Sequence, residues 1–179
     1  WIHKPWEAPA KELREAGMAT EAIIVLAEGF EEIEALTPAD ILQRAGLSVN
    51  LVGLTDEPVT GGHGFCVQVD RALRDEEDVR AIILPGGLGG AGNLSASERV
   101  IANVRRQLES DRILGAICAA PGLVLGRHGL LKGRKATCYP GFEEHFGPEA
   151  AFIEQEVVRD GNLITSRGPG TAFAFGLAL

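Results

Sequence analysis

A chain of 179 residues with 45% apolar and 23% charged residues has the length and composition of one domain with a full hydrophobic core. Its net charge of −8 argues against stable nucleic-acid binding, which needs a basic face. No apolar run approaches the roughly 18–20 residues that cross a bilayer, and residues 1–17 lack the apolar centre of a usual signal peptide. A soluble, cytoplasmic protein without membrane contact is the expectation.

Three cysteines, Cys66, Cys118 and Cys138, form no CxxC pair and no even-numbered disulfide framework. The histidines His3, His63, His128 and His145 show no metal-ligand spacing, so no metal is expected. Met18 is the only methionine and stands just before the first strand. It is read as the native start, with residues 1–17 as an N-terminal extension or cloning remnant and 18–179 as a single domain.

Residues 21–27 (EAIIVLA) form a short, β-branched apolar run of the kind that builds buried parallel strands. Residues 31–44 carry apolar side chains at Ile33, Leu36, Ile41 and Leu42, a helical stripe ending at Gly46. Pro38 is expected in an early turn of that helix or at a bend. Residues 48–54 (SVNLVGL) complete a strand–helix–strand unit. After a Gly-Gly-His-Gly segment, residues 65–70 alternate like a hairpin arm. Residues 81–84 (AIIL) form a buried strand closed by Pro85-Gly86-Gly87, and residues 98–108 an amphipathic helix that Ser95 or Ser97 caps. A further strand, 112–117, runs into Cys118 and a helix from Ala119. Residues 135–138 are short and extended. Residues 152–158 and 162–166 flank Asp160-Gly161, a hairpin turn signal. Residues 171–179 are read as a helix that stops early, with more chain expected beyond it. The alternation implies a mostly parallel sheet with helices on both faces and a site at the carboxyl ends of the strands.

Three stretches at such strand ends carry chemistry. In GAICAAP, a buried strand meets Cys118 and small residues follow into a helix, the layout of a nucleophile elbow. Free N–H groups at that helix start favour thiolate, so the Cys118 pKa is expected below its ordinary value. In Glu28-Gly29-Phe30-Glu31-Glu32-Ile33-Glu34, Glu31 and Glu32 suit a helix N-terminus. Glu34 is placed to face inward, where burial beside a thiol would protonate it. The glycines Gly86 and Gly87 leave backbone N–H groups open for an oxyanion.

The segments AEGFEEIEALTPADILQRAG, ILPGG, GAICAAP and ITSRGPGTAFAF, in this order and spacing from Met18 to Leu179, resemble the ThiJ/PfpI superfamily, in the branch of the Parkinson-disease protein deglycase DJ. The resemblance implies an α/β, flavodoxin-like three-layer sandwich and a homodimer. It makes Cys118 the reactive cysteine, Glu34 its protonated partner, and Gly86 and Gly87 the amides beside the thiol. Arg44 and Arg167 fall on arginines near the dimer interface. Two positions depart from relatives. Ala119 stands where the protease-like branch has His, which argues against peptidase activity. Tyr139 stands where the deglycase branch often has His, and is a poorer proton shuttle near neutral pH. Ala119 and Tyr139 join Gly86 and Gly87 as oxyanion or binding positions. Cys138 is read as packing, with a resolving thiol as the alternative. Cys66 is read as packing, and His63, His128 and His145 as having no functional role. The implied activity is a cofactor-free glyoxalase or deglycase acting on a small dicarbonyl such as methylglyoxal, or on a glycated substrate. The alternative is an oxidative-stress sensor or chaperone working through oxidation of Cys118.

Overall fold

Apolar runs without alternation build the centre of the molecule, because a parallel strand covered on both faces has no polar side. The computed structural model describes residues 20–179. The expectations for residues 1–17 and for Met18 lie outside them. Along the chain come β1 (Ala22–Leu26), α1 (Glu32–Arg44), β2 (Val49–Gly53), β3 (Val59–Thr60), β4 (Cys66–Val67), β5 (Arg71–Ala72) and β6 (Ala81–Leu84). Then follow α2 (Leu88–Ala96), α3 (Glu98–Glu109), β7 (Ile113–Ile117), a wide helical turn over Pro121–Gly126, and β8 (Lys135–Ala136). The chain finishes with β9 (Ala151–Phe152), β10 (Val157–Asp160), β11 (Leu163–Ser166) and α4 (Ala172–Ala178).

Seven strands form one sheet in the order β10-β11-β7-β6-β1-β2-β5. Every pairing is parallel except that of β10 with β11. The edges are β10 and the two-residue β5. Successive side chains of β1 go to opposite faces. Ile23 and Val25 pack with Leu94, Val104 and Leu123, whereas Ile24 and Leu26 pack with Ala35, Leu42 and Phe175. Helices thus cover both faces, which makes three layers. The chain leaves β1 for β2 on one side and reaches β6 on the other. The crevice at the carboxyl ends of β1 and β6 is therefore the switch point of the sheet.

Several elements differ from expectation. The inward face of α1 is Ala35, Pro38, Ala39 and Leu42, spaced i, i+3, i+4, i+7. Ile33 and Leu36 are 53% and 39% exposed. Small side chains win the inner face because α4 packs close: a Cβ on its Gly176 would lie 3.2 Å from the Pro38 Cα. Pro38 lies in the middle of the helix, seventh of its thirteen residues, rather than in an early turn. Residues 152–158 are not one strand. Phe152 pairs with Ala136 of β8, and β10 begins at Val157. Cys66 is exposed rather than packed. Ser97, not Ser95, caps α3, its hydroxyl accepting the Val100 N–H at 3.4 Å.

Helix α2 is absent from the sequence reading, since LGGAGNLSA holds three glycines, each unfavourable in a helix interior. One of them has a packing reason. A Cβ on Gly90 would lie 2.6 Å from the Phe30 Cα, so only glycine lets α2 reach the loop after β1. Gly92, in the same helix, has nothing within 4 Å of such a Cβ. Gly90→Ala should therefore destabilise the protein by about 1–3 kcal/mol through overpacking, and Gly92→Ala should stabilise it by about 0.5–1 kcal/mol through backbone entropy. Urea denaturation midpoints of the two variants check the opposite signs.

Candidate active site

Cys118 directly follows β7 and has φ 64°, the one positive value at a non-glycine residue among the described residues. That conformation costs about 1–2 kcal/mol for an L-residue. Two backbone bonds hold it. The Cys118 N–H donates to the Ser166 carbonyl at 2.9 Å, and the Cys118 carbonyl accepts the Tyr139 N–H at 2.9 Å. Ala119 and Ala120, both buried, turn the chain inward at once. The sharp turn leaves the Cys118 side chain partly exposed at the end of the sheet.

Glu34 reaches this thiol from the first turn of α1 and is fully buried. Its Oε2 accepts the Gly86 N–H at 2.8 Å. Its carboxyl hydrogen-bonds the Cys118 side chain. Oε1 is buried and accepts no conventional N–H or O–H hydrogen bond from the described residues. Burial pushes the Glu34 carboxyl from its ordinary 4.5 up to about 7, against the pull of Cys118 and the Gly86 N–H, and the charge on Glu31 adds to the rise. Burial also pushes the Cys118 thiol up, and the neighbouring Glu34 adds to it; the N–H groups of Gly87 and Ala119 pull the other way. This reverses the expected depression of the Cys118 pKa. Counting helix N–H groups left out the desolvation and the carboxylate. The site accommodates one negative charge rather than two, and the carboxyl gives up its proton first while the Cys118 thiol keeps its own.

The glycine turn after β6 closes the pair from above. A Cβ on Gly86 would sit 2.6 Å from both the Cys118 Cβ and the Glu34 Oε2, so no side chain fits there. Gly87 has φ 81° and caps α2. The Gly86 N–H is spent on Glu34, so the two amides facing sulfur are those of Gly87 and Ala119. The structure thus brings Cys118, Glu34, Gly86, Gly87 and Ala119 together. Tyr139 stands at the rim, 46% exposed, with its ring edge-on to Phe142 at 6.4 Å between centroids. Gly168, which no motif reading singled out, lies between Tyr139 and Glu34: a Cβ on it would be 3.1 Å from the Tyr139 ring and 3.9 Å from Glu34 Oε1.

The remaining candidates fall elsewhere. Cys138 is buried, its thiol 3.9 Å from Glu143 Oε2 and pushed up to about 12 by burial and by Glu143, against the pull of Arg167. His63 has a structural role that its glycine-rich setting did not suggest. Its Nδ1 lies 3.0 Å from Glu32 Oε2 and its backbone N–H donates to Glu32 Oε1 at 2.9 Å, fastening the β3–β4 hairpin to the start of α1. The Glu32 interaction, with the charges of Glu31 and Glu32, raises the His63 pKa. Glu31, Glu32 and His63 are the group of described residues whose donor atoms lie close enough, within 4.8 Å, to surround a cation. His128 bonds Ser95, and His145 packs against Phe142.

The Glu34 pKa fixes the sign of a stability effect. Between about pH 4.5 and about 7 the folded protein binds the Glu34 proton more strongly than the unfolded chain does. The neutral carboxyl's contribution is fully present below pH 4.5 and is lost as pH rises to about 7, in total about 3 kcal/mol. Glu34→Gln cannot ionise, so its stability relative to wild type should grow by an amount of this order across that window. Chemical denaturation at pH 5 and pH 7.5 measures it.

Comparison with known proteins places this geometry. Residues 20–179 match the model of the DJ-1/PfpI family. The chain is 39% identical over 168 residues to protein dj-1beta of Drosophila melanogaster, across 90% of this chain and 88% of that one. It is 41% identical over 162 residues to protein DJ-1 homolog B of Arabidopsis thaliana, across 89% of this chain but only 37% of the plant protein's length. The solved structure of oxidized Toxoplasma gondii DJ-1 aligns with a TM-score of 0.84 at 34% identity, over 89% of this chain and 88% of that one. The three-layer sandwich is the flavodoxin-like fold of these neighbours, and no helix among the described residues is long and apolar enough to cross a membrane. Because the family match extends over every described residue and the fly relative over nearly its own full length, the chain belongs to the DJ-1/PfpI family.

Proposed function

We propose that the chain is a cofactor-free, thiol-dependent glyoxalase or deglycase-type enzyme acting on methylglyoxal or on glyoxal adducts. The observation that carries this reading is Cys118 on its strained turn, in contact with buried Glu34 and facing the amides of Gly87 and Ala119. Sulfur adds to the aldehyde carbon, and the carbonyl electron pair moves to oxygen beneath those two amides. The thiol proton passes through Glu34 to that oxygen, giving a hemithioacetal. Glu34 then takes the proton from the same carbon, whose C–H electron pair forms the C=C bond of an enediol as the neighbouring carbonyl oxygen takes up a proton. Glu34 returns its proton to the neighbouring carbon while the first hydroxyl loses its own, which restores a C=O on the carbon bound to sulfur. The first carbon is oxidised to a thioester while its neighbour is reduced to an alcohol. Water cleaves the C–S bond, the thiol returns, and a 2-hydroxy acid leaves. No outside oxidant or reductant enters. Tyr139, at the rim, binds substrate rather than shuttling protons.

A second reading is favoured by one observation, the oxidized form of the Toxoplasma relative. Here peroxide converts the Cys118 thiol to sulfenic acid and water, and a second equivalent carries it to the sulfinic acid. A protonated Glu34 would donate to the new oxygen. In either reading the chain acts as a homodimer. Ile33 and Leu36 on α1, with Phe173 and Leu177 on the adjoining α4, are the exposed apolar surface that supports this.

Wild-type protein should form lactate from methylglyoxal, and Cys118→Ala should form none above background. A rate that survives in Cys118→Ala would sink the enzyme reading. Glu34→Gln should lower kcat/KM by about 10²-fold or more. In the wild type, kcat/KM should rise with pH and level off above an apparent pKa near 7, as the Cys118–Glu34 pair loses its first proton; this limb should be missing in Glu34→Gln. For the second reading, mass spectrometry after mild peroxide should find one or two added oxygens on Cys118 and not on the exposed Cys66.

A further inference from the structure

A cleft of about 370 Å³ opens beside the reacting pair, between the Tyr139 loop and the turn after β11. Tyr139, Arg167 and Gly168 line it, together with the solvent-exposed Glu156. Gly168 separates the cleft from Oε1 of Glu34, the buried oxygen without a conventional donor. The nearest carboxylate to the Arg167 guanidinium is Glu154, at a long 3.5 Å and itself 76% exposed. Neither that guanidinium nor the Tyr139 hydroxyl donates a hydrogen bond to a described residue. An arginine normally commits its planar fork to an oxyanion. Among the described residues the fork has only its long contact to Glu154 and the phenol has no hydrogen bond, and both stand on the wall of one cleft that Gly168 separates from the catalytic acid.

We propose that Arg167 and Tyr139 form a subsite for the carboxylate of a small 2-hydroxy acid, the product of the reaction above, and that product bound there inhibits the enzyme. The inference rests on the proposed glyoxalase reading for its ligand, and on the cleft for its place. Methylglyoxal is neutral, whereas lactate carries a charge at neutral pH, so the subsite discriminates product from substrate. Glu154 is a competitor for the same guanidinium. A bound carboxylate displaces that long contact and gains a charge-assisted one, with the Tyr139 hydroxyl as second donor.

Calorimetric titration of the purified protein with sodium lactate, and with neutral lactamide as the control, tests this without any turnover. Lactate should bind at least tenfold more tightly than lactamide. Arg167→Gln should weaken lactate binding about tenfold, and Tyr139→Phe should weaken it severalfold. Glu154→Gln, an exposed substitution that leaves the fold intact, should tighten it a few-fold by freeing the guanidinium. Equal binding of lactate and lactamide would overturn the subsite, as would lactate affinity unmoved by both Arg167→Gln and Glu154→Gln. Lactate binding that follows Arg167 in a protein without methylglyoxal turnover would keep the subsite and remove the glyoxalase reading. Turnover without competitive inhibition by lactate would do the reverse.

Discussion

The backbone bonds at Cys118 are the constraint on which the site depends. A left-handed cysteine is held only because the Ser166 carbonyl takes its N–H and the Tyr139 N–H reaches its carbonyl. The first bond comes from β11, the strand paired with β7 on one side. The second comes from the segment after β8. The strain is thus distributed over the sheet and a loop that is far away in sequence. The same two bonds fix where Ser166 and Tyr139 sit, and with them the turn through Arg167 and Gly168 that forms the outer wall of the site.

The second constraint is electrostatic. Glu34 and Cys118 share a buried space that tolerates one charge, and Gly86 supplies the N–H that decides where the carboxyl lies. Each part excludes alternatives. A side chain at residue 86 would overlap both partners. Burial that raises the carboxyl keeps a proton in the site near neutral pH, which suits a group that must both give and take one.

Much of this was legible in the sequence, and the failures have physical reasons. The strands were readable because two-sided burial leaves continuous apolar runs. Cys118 stood out because a thiol between a buried strand and small residues is unusual, whereas Glu34 rested on the family resemblance: the stripe of Ile33 and Leu36 beside which it was read is exposed, and Glu34 is buried on the other side. The fate of the Gly86 N–H was not readable, since a backbone donor carries no letter. The pKa of Cys118 was misjudged for a related reason: the donors lie nearby in sequence, while the burial and the carboxylate come from elements far away. Helix α2 was hidden because Gly90 answers to contact with Phe30 rather than to helix propensity. The face of α1 was misassigned because large apolar residues were weighted over Ala35 and Ala39, whose small size the close approach of α4 requires.

The edges of the sheet carry a consequence for solubility. An unpaired strand edge is a template for another chain, and long flat edges invite aggregation. Here one edge is β5, only two residues long, and its Arg71 is clamped to the buried Glu77 by bonds of 2.6 and 2.9 Å. The opposite edge, β10, runs antiparallel and displays the exposed Arg159, while the Asp160 carboxylate caps the Lys135 N–H at 2.8 Å. A core of almost uninterrupted valine, isoleucine and leucine is therefore closed off at both sides by short, charged strands. The fold keeps its most amyloid-prone segments, β1 and β6, in the middle of the sheet, where every backbone ladder is already occupied.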